Sequence, residues 1–132
     1  MKLNRIHHIA IIASDYARSK AFYCNTLGFS LISEHYRADR DSWKGDLALD
    51  GVYTLELFSF PSPPARVSTP EACGLRHLAF GVSDLALAIA DLAELGVVCE
   101  PVRRDENSGR CFTFLRDPDG LPLELYQDLL TK

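Results

Sequence analysis

The sequence predicts an α+β fold made of two βαβββ modules related by a pseudo-twofold axis. Two observations predict it: the second half of the chain repeats the first, and each half alternates strand-like and helix-like patterns. The segment IHHIAIIASDY from Ile6 aligns with LRHLAFGVSDL from Leu75 at an offset of 69 residues. LELF from Leu55 aligns with LELY from Leu123 at an offset of 68. Several matches in one order, at nearly one offset, indicate a duplicated unit.

Each half predicts one strand, one helix and three further strands. The first strands, over 5–12 and 77–82, are apolar and rich in β-branched residues. Each helix follows a Ser-Asp pair that can cap its first turn, and each ends at a glycine, Gly28 or Gly96. The remaining strands are predicted over 29–36, 46–49 and 52–60 in the first half, and over 97–102, 111–115 and 121–127 in the second.

The Pro-rich segment 61–74 suits neither a helix nor a strand and is predicted to be a linker. It separates module one (about 4–60) from module two (about 75–128) within a single domain spanning 1–132. A module of this size leaves one sheet face open, and a second copy can cover that face. We expect the two sheets to form a cupped cleft, with the covering copy either in the same chain or in the second subunit of a homodimer.

Composition excludes several classes of function. The 132 residues are 47% hydrophobic and 24% charged, as in ordinary globular proteins. The net charge of −4 argues against nucleic acid as a partner, because phosphate binding needs an excess of Lys and Arg. No apolar run approaches the roughly 20 residues that span a bilayer. The sequence therefore predicts a cytoplasmic protein with neither a membrane nor a nucleic-acid partner.

Four ionisable residues lie within predicted apolar strands and are related by the repeat: His8 with His77, and Glu56 with Glu124. A charge in such a strand is costly unless it is paired or bound to a metal. A lone strand histidine is more often a hydrogen-bonded core residue, but the repetition favours a shared site. Two imidazoles and two carboxylates suit one divalent ion, such as Ni²⁺, Zn²⁺, Co²⁺, Mn²⁺ or Fe²⁺. His7 has no repeat partner and is predicted to lie on the opposite face, where its role is either structural or that of a residue supporting a metal ligand.

The strands HHIAI and RHLAF, the helix end FYCNTLGF and the ending DPDGLPLELY resemble the vicinal-oxygen-chelate superfamily over nearly the whole chain. That superfamily contains glyoxalase I, extradiol dioxygenases, methylmalonyl-CoA epimerase, and the fosfomycin and bleomycin resistance proteins. The resemblance implies metal ligands from the first and last strand of each module, which here are His8, Glu56, His77 and Glu124. The order His, Glu, His, Glu is similar to that of bacterial glyoxalase I.

The resemblance implies a metal-dependent lyase or isomerase of the glyoxalase I type. Its substrate would be a small α-oxo or α-hydroxycarbonyl compound that reacts through an enediolate-like intermediate. Glu124 is expected to be the mobile base and Glu56 mainly a ligand, although pseudo-symmetry also allows the reverse.

Two alternatives remain: a non-catalytic protein that binds a drug or metabolite, and an Fe²⁺ dioxygenase. The four ligands can come from one chain or from the two chains of a dimer. Glyoxalase I also carries an Arg and an Asn that hold glutathione, and the corresponding positions here are Ile12 and Phe60. These apolar residues predict weak or absent use of glutathione.

Overall fold

The computed structural model describes residues 1–128, so residues 129–132 of the predicted domain lie outside the described residues. The chain divides into two compact units, Met1–Ala65 and Arg66–Lys132. Each unit contains one four-stranded mixed sheet with the same strand order, which confirms the α+β class and the repeated βαβββ topology. The pseudo-twofold relation, the cleft and the single-domain assignment stay predictions. No helix within residues 1–128 is long and apolar enough to cross a membrane.

The first unit has the sheet order β1-β4-β3-β2, with β1 parallel to β4 and the other pairs antiparallel. The Asp15 side chain caps the helix by accepting a hydrogen bond from the Arg18 amide at 3.1 Å. Gly28 follows with φ +84°, the left-handed conformation expected where a helix ends. The elements are β1 (Ile9–Ala13), α1 (Tyr16–Ala21) continued by a π-helical turn (Phe22–Thr26), β2 (Ser30–Arg37), β3 (Ser42–Leu49) and β4 (Val52–Ser59).

The second unit repeats this arrangement with the sheet order β5-β8-β7-β6 and with β5 parallel to β8. Asp84 caps its helix by accepting a hydrogen bond from the Leu87 amide at 2.9 Å. Gly96 has φ +80° and takes the place of Gly28. The elements are β5 (Leu78–Val82), α2 (Leu85–Glu94), β6 (Arg103–Arg104), β7 (Cys111–Arg116) and β8 (Pro122–Gln127).

Three predicted strands differ from the observed ones. β1 starts at Ile9, where its pairing with β4 begins, and not at residue 5. β3 starts at Ser42, because pairing with both neighbouring strands extends it beyond its apolar part. The strand predicted over 97–102 is wrong: the chain pairs with β7 only at Arg103–Arg104. Pro101 lacks an amide donor, and the segment before it contacts β7 through the Glu100 amide, which donates to the Phe114 carbonyl at 2.8 Å, while the Val97 amide donates back to Leu92.

Alternation along β3 and β4 gives the first sheet one apolar and one polar face. Leu47, Leu55 and Leu57 are buried on the apolar face. The other face carries Glu56, which lies opposite Asp46 in the register. The second unit follows the same rule, because buried Leu123 and Leu125 flank half-buried Glu124 on β8. In each unit the helix and sheet thus bury apolar side chains and leave a glutamate on the other face.

Replacing Gly45 by Ala should lower the free energy of unfolding by about 1–3 kcal/mol, the usual cost of overpacking. A Cβ at Gly45 would overlap the hydroxyl of Tyr16, which is tied to Glu34 by a 2.7 Å hydrogen bond. Urea unfolding measures this cost. In the Tyr16→Phe background the same substitution should cost clearly less, since the overlapping atom is absent. Equal costs in the two backgrounds would show that the overlap is not the cause.

Candidate functional site

The first candidate pair joins His8, just before β1, to Glu56 on β4. The parallel register sets Ala10 opposite Glu56, which brings the residue two positions earlier alongside the carboxylate. His8 Nε2 lies 3.9 Å from Glu56 Oε2. The side chains are 37% and 16% exposed, so both can be reached by a small ligand.

The second pair repeats this geometry with His77, just before β5, and Glu124 on β8. Ala79 lies opposite Glu124, as Ala10 lies opposite Glu56. His77 Nε2 lies 3.1 Å from Glu124 Oε2, and the side chains are 28% and 14% exposed. Each unit therefore builds one histidine–glutamate pair at an equivalent place, as the repeat predicts.

The donor atoms of the His77–Glu124 pair have the spacing of two ligands of one divalent ion, and those of the His8–Glu56 pair, at 3.9 Å, are farther apart. Ligands bound at roughly 2.0–2.2 Å lie about 3 Å apart when they are adjacent in the coordination shell, close to the 3.1 Å between His77 and Glu124. Imidazole nitrogen and carboxylate oxygen are ligands that suit borderline divalent ions. Among residues 1–128 no group of three or more His, Cys, Asp or Glu side chains has metal-binding spacing. Each unit therefore offers two candidate ligands, one imidazole and one carboxylate.

His7 orients the ring of His8. The two Nδ1 atoms lie 2.8 Å apart, so one carries the proton and the other accepts it. When His8 is the donor, its Nε2 has a lone pair available to a metal, which is the usual role of such a partner. The expectation that the two side chains point to opposite faces is wrong, because both residues precede β1 and strand alternation does not apply to them.

His77 has a different neighbour. Arg76 Nη1 lies 3.2 Å from His77 Nδ1, and an arginine can only donate. The proton of a neutral His77 ring is then on Nε2, facing Glu124. Binding a metal through Nε2 requires the other tautomer and the withdrawal of Arg76. That side chain is 65% exposed and paired with Glu71 at 2.9 Å, so it can move away at little cost.

A polar cluster surrounds Glu56, consisting of Lys44, Asp46 and Tyr53. The Tyr53 hydroxyl lies 3.0 Å from Glu56 Oε2 and 2.9 Å from Asp46 Oδ1. Lys44 Nζ lies 3.4 Å from the same Glu56 oxygen and 3.0 Å from Asp46. These contacts hold Glu56 in one place and converge on a single oxygen of its carboxylate.

The cluster shifts the pKa values of its members. Burial, and then donation to Asp46 and Glu56, raises the pKa of Tyr53 well above its usual range, so the phenol stays neutral. Burial would raise the pKa of Asp46, but hydrogen bonds from Lys44, Tyr53 and Ser33 outweigh it, and the net shift is downward. Hydrogen bonding to Asp46 is also the main cause of the raised pKa of Lys44. The cluster therefore consists of an ammonium, a carboxylate and a neutral phenol at neutral pH.

The strand neighbours of the two glutamates differ. Asp46 lies opposite Glu56 between β3 and β4, whereas Phe114 lies opposite Glu124 between β7 and β8. Two residues earlier, β3 has Lys44 and β7 has Phe112. The ring of Phe114 also packs edge-on against His77, with centroids 5.2 Å apart. One histidine–glutamate pair has charged neighbours and the other has aromatic neighbours, although the repeat makes the two pairs topologically equivalent.

The sequence did not single out the cluster around Glu56 or the position of Arg37. Lys44 precedes the strand predicted over 46–49 but is in fact part of β3, and only the register of β3 with β4 reveals its neighbours. Arg37 packs over Phe58 and Phe60, with its guanidinium carbon 4.9 and 5.8 Å from the two ring centroids. Ile12, opposite Phe58 in the register, is exposed. An arginine distant in sequence therefore lies beside Phe60, one of the two apolar residues at the positions that correspond to the glutathione-holding residues of glyoxalase I.

The pattern of the Glyoxalase/Bleomycin resistance protein/Dioxygenase superfamily matches residues 5–125. The chain belongs to this superfamily. Its sequence is 65% identical to the protein YaeR of Escherichia coli over 125 residues, which cover 95% of this chain and 97% of YaeR. The crystal structure of a glyoxalase family protein from Enterococcus faecalis has a TM-score of 0.90 and 47% identity, covering 96% of this chain and 100% of that one.

Another relative is named for an enzymatic activity. Catechol-2,3-dioxygenase of Bacillus subtilis is 32% identical over 116 residues. These cover 84% of this chain but 37% of the dioxygenase. Membership of the superfamily confirms the resemblance found in the sequence.

Proposed function

We propose that this protein is a metal-dependent lyase or isomerase of the glyoxalase I type that acts on a small α-oxo or α-hydroxycarbonyl compound. The observation that carries the proposal is the equivalent histidine–glutamate pair in each unit. Superfamily membership supports a site of this kind, since glyoxalases are part of the superfamily name.

In this proposal His8, Glu56, His77 and Glu124 hold one divalent ion, which is Ni²⁺, Zn²⁺, Co²⁺, Mn²⁺ or Fe²⁺. The two pairs come from the two units of one chain or from the two chains of a homodimer. When bound, the ion supplies Lewis acidity to neighbouring oxygens of the substrate. His7 keeps the His8 ring in the ligating tautomer.

Glu124 is the proposed proton carrier. Tyr53 and Lys44 fix Glu56, whereas the polar contact of Glu124 within the described residues is with His77 alone. A carboxylate that is less restrained can move between two adjacent carbons of a substrate and return a proton. The aromatic ring of Phe114 beside His77 makes that side apolar. This difference favours Glu124 as the base and Glu56 as the ligand.

Replacing His77 by Ala should abolish stoichiometric metal binding, because the second unit then retains a single ligand. His7→Ala should weaken binding roughly 10–100-fold without abolishing it, as expected for a residue that orients a ligand. Metal content after dialysis and titration with Zn²⁺ or Ni²⁺ measure both effects. His35→Ala is the matched control and should bind like the wild type. Equal losses from the His77 and His35 substitutions would contradict the ligand assignment.

Glu124→Gln should retain part of the metal but lose most of the turnover, since an amide oxygen can ligate and cannot accept a proton. Glu56→Gln should mainly weaken metal binding. Both are measured as turnover per bound metal ion on a panel of α-oxo and α-hydroxycarbonyl compounds. Turnover that survives in Glu124→Gln and disappears in Glu56→Gln would reverse the roles. Tight ligand binding with no turnover in the wild type would instead support the drug- or metabolite-binding alternative.

The adduct of glutathione and methylglyoxal should be a poor substrate. Its carboxylates need cations, and the residues at the two expected positions are Ile12 and Phe60. We expect a kcat/KM well below roughly 10⁴ M⁻¹s⁻¹ for the nickel- and zinc-loaded protein. A value in the ordinary enzyme range would show that other groups, with Arg37 the nearest to Phe60, bind the tripeptide.

A second candidate function is an Fe²⁺ dioxygenase, which the similarity to catechol-2,3-dioxygenase favours. The second carboxylate argues against it, because it fills a coordination position that oxygen and substrate would share. Oxygen uptake by the Fe²⁺-loaded protein with catechol separates the two candidates.

A further inference from the structure

A cavity of about 300 Å³ lies in the second unit, within the size range of small-molecule sites. The segment 66–72 forms one side, and the sheet forms the other through Arg103, Phe114, Arg116 and Pro122. The register sets Phe114 opposite Glu124 and Arg116 opposite Pro122, so these side chains share one face of the sheet. The cavity therefore lies on the face that carries Glu124.

The lining is strongly basic although the chain as a whole has a net charge of −4. Its charged members are Arg66, Arg76, Arg103, Arg116, Glu71 and Glu100. Four arginines against two glutamates leave a local charge of +2. In an acidic chain such a concentration of guanidinium groups favours an anionic ligand.

Two of the four arginines are engaged in hydrogen bonds or ion pairs within the protein. Arg66 donates to the carbonyls of Leu75 and Arg76 at 2.7 and 2.9 Å, which fastens the linker to the start of β5. Arg76 is paired with Glu71 at 2.9 Å. These contacts hold the linker side of the cavity in place.

The other two arginines, Arg103 and Arg116, form no ion pair with a carboxylate among residues 1–128. The Arg103 guanidinium carbon lies 5.1 and 5.5 Å from the ring centroids of Phe112 and Phe114. Stacking of this kind fixes the plane of the guanidinium and leaves its N–H edge available. Arg116 makes one long contact, 3.4 Å to the Gly120 carbonyl. Both can donate to an oxyanion.

We propose that this cavity binds a phosphoryl group, with Arg103 and Arg116 as its donors. A phosphate monoester carries about −1.5 to −2 charges at neutral pH, which matches the local charge of +2, whereas a carboxylate carries one. Arginine also suits the geometry of phosphate oxygens.

The position of the cavity connects it to the proposed reaction, and this step rests on the proposed function. Phe114 lines the cavity and packs against His77, and Arg76 contacts both the cavity and the His77 ring. A phosphoryl group bound there leaves the rest of a short ligand beside His77 and Glu124. The substrate class is therefore a phosphorylated α-hydroxycarbonyl or α-oxo compound.

Calorimetric titration of the metal-free protein with inorganic phosphate at low ionic strength tests the cavity by itself. The wild type should bind phosphate, and the R103Q/R116Q double variant should bind at least 10-fold more weakly. The R40Q/R104Q variant loses the same charge from residues that do not line the cavity, and should bind like the wild type. Circular dichroism and the melting temperature check that all three proteins are folded.

Dihydroxyacetone phosphate should bind the metal-free wild type at least 10-fold more tightly than dihydroxyacetone. No phosphate binding by the wild type, equal losses in the two double variants, or acetate binding as tight as phosphate would each overturn the proposal. These titrations contain no metal, so their failure leaves the metal-loading and turnover experiments unaffected. Failure of those experiments with intact phosphate binding would instead overturn the proposed function alone.

Discussion

The parallel pairing of the first and last strand of each unit is the constraint on which the candidate site depends. It sets Ala10 opposite Glu56 in one unit, and the equivalent pair in the other. Because the backbone hydrogen bonds fix this register, a histidine two residues before the paired alanine must lie near the glutamate. A shift of one residue would turn the carboxylate into the apolar face and move Leu55 and Leu57 out of it. Hydrophobic burial of these leucines therefore protects the geometry of the polar side.

The repeated units contain two histidine–glutamate pairs with the same topology and different chemistry. Glu56 lies among charged and hydroxyl groups, whereas Glu124 lies opposite Phe114. A fixed carboxylate is a good ligand, because its position does not depend on the substrate. A less restrained carboxylate beside an aromatic ring such as that of Phe114 is better suited to proton transfer. The asymmetry gives a physical reason for dividing two roles between residues that the repeat makes equivalent.

Charge is also distributed unequally. The chain is acidic overall, but the basic cavity of the second unit concentrates four guanidinium groups, and that of Arg76 contacts the His77 ring. Aromatic stacking holds Arg103 in place without neutralising it. This arrangement lowers the cost of bringing an anion close to a carboxylate, because the opposite charge is already positioned.

The sequence by itself determined the repeated topology, both helix caps and the histidine–glutamate pairs, because these follow from local patterns and from alignment of the two halves. It missed what depends on tertiary pairing. The strand predicted over 97–102 was wrong since Pro101 lacks an amide donor and β7 pairs elsewhere. The polar cluster around Glu56 depends on the register of β3 with β4, and the basic cavity depends on the packing of the linker against the sheet. The contact of His7 with His8 forms before the chain enters β1, where alternation along a strand does not apply. Alternation predicts a face within a strand, but it does not say which distant residue lies opposite.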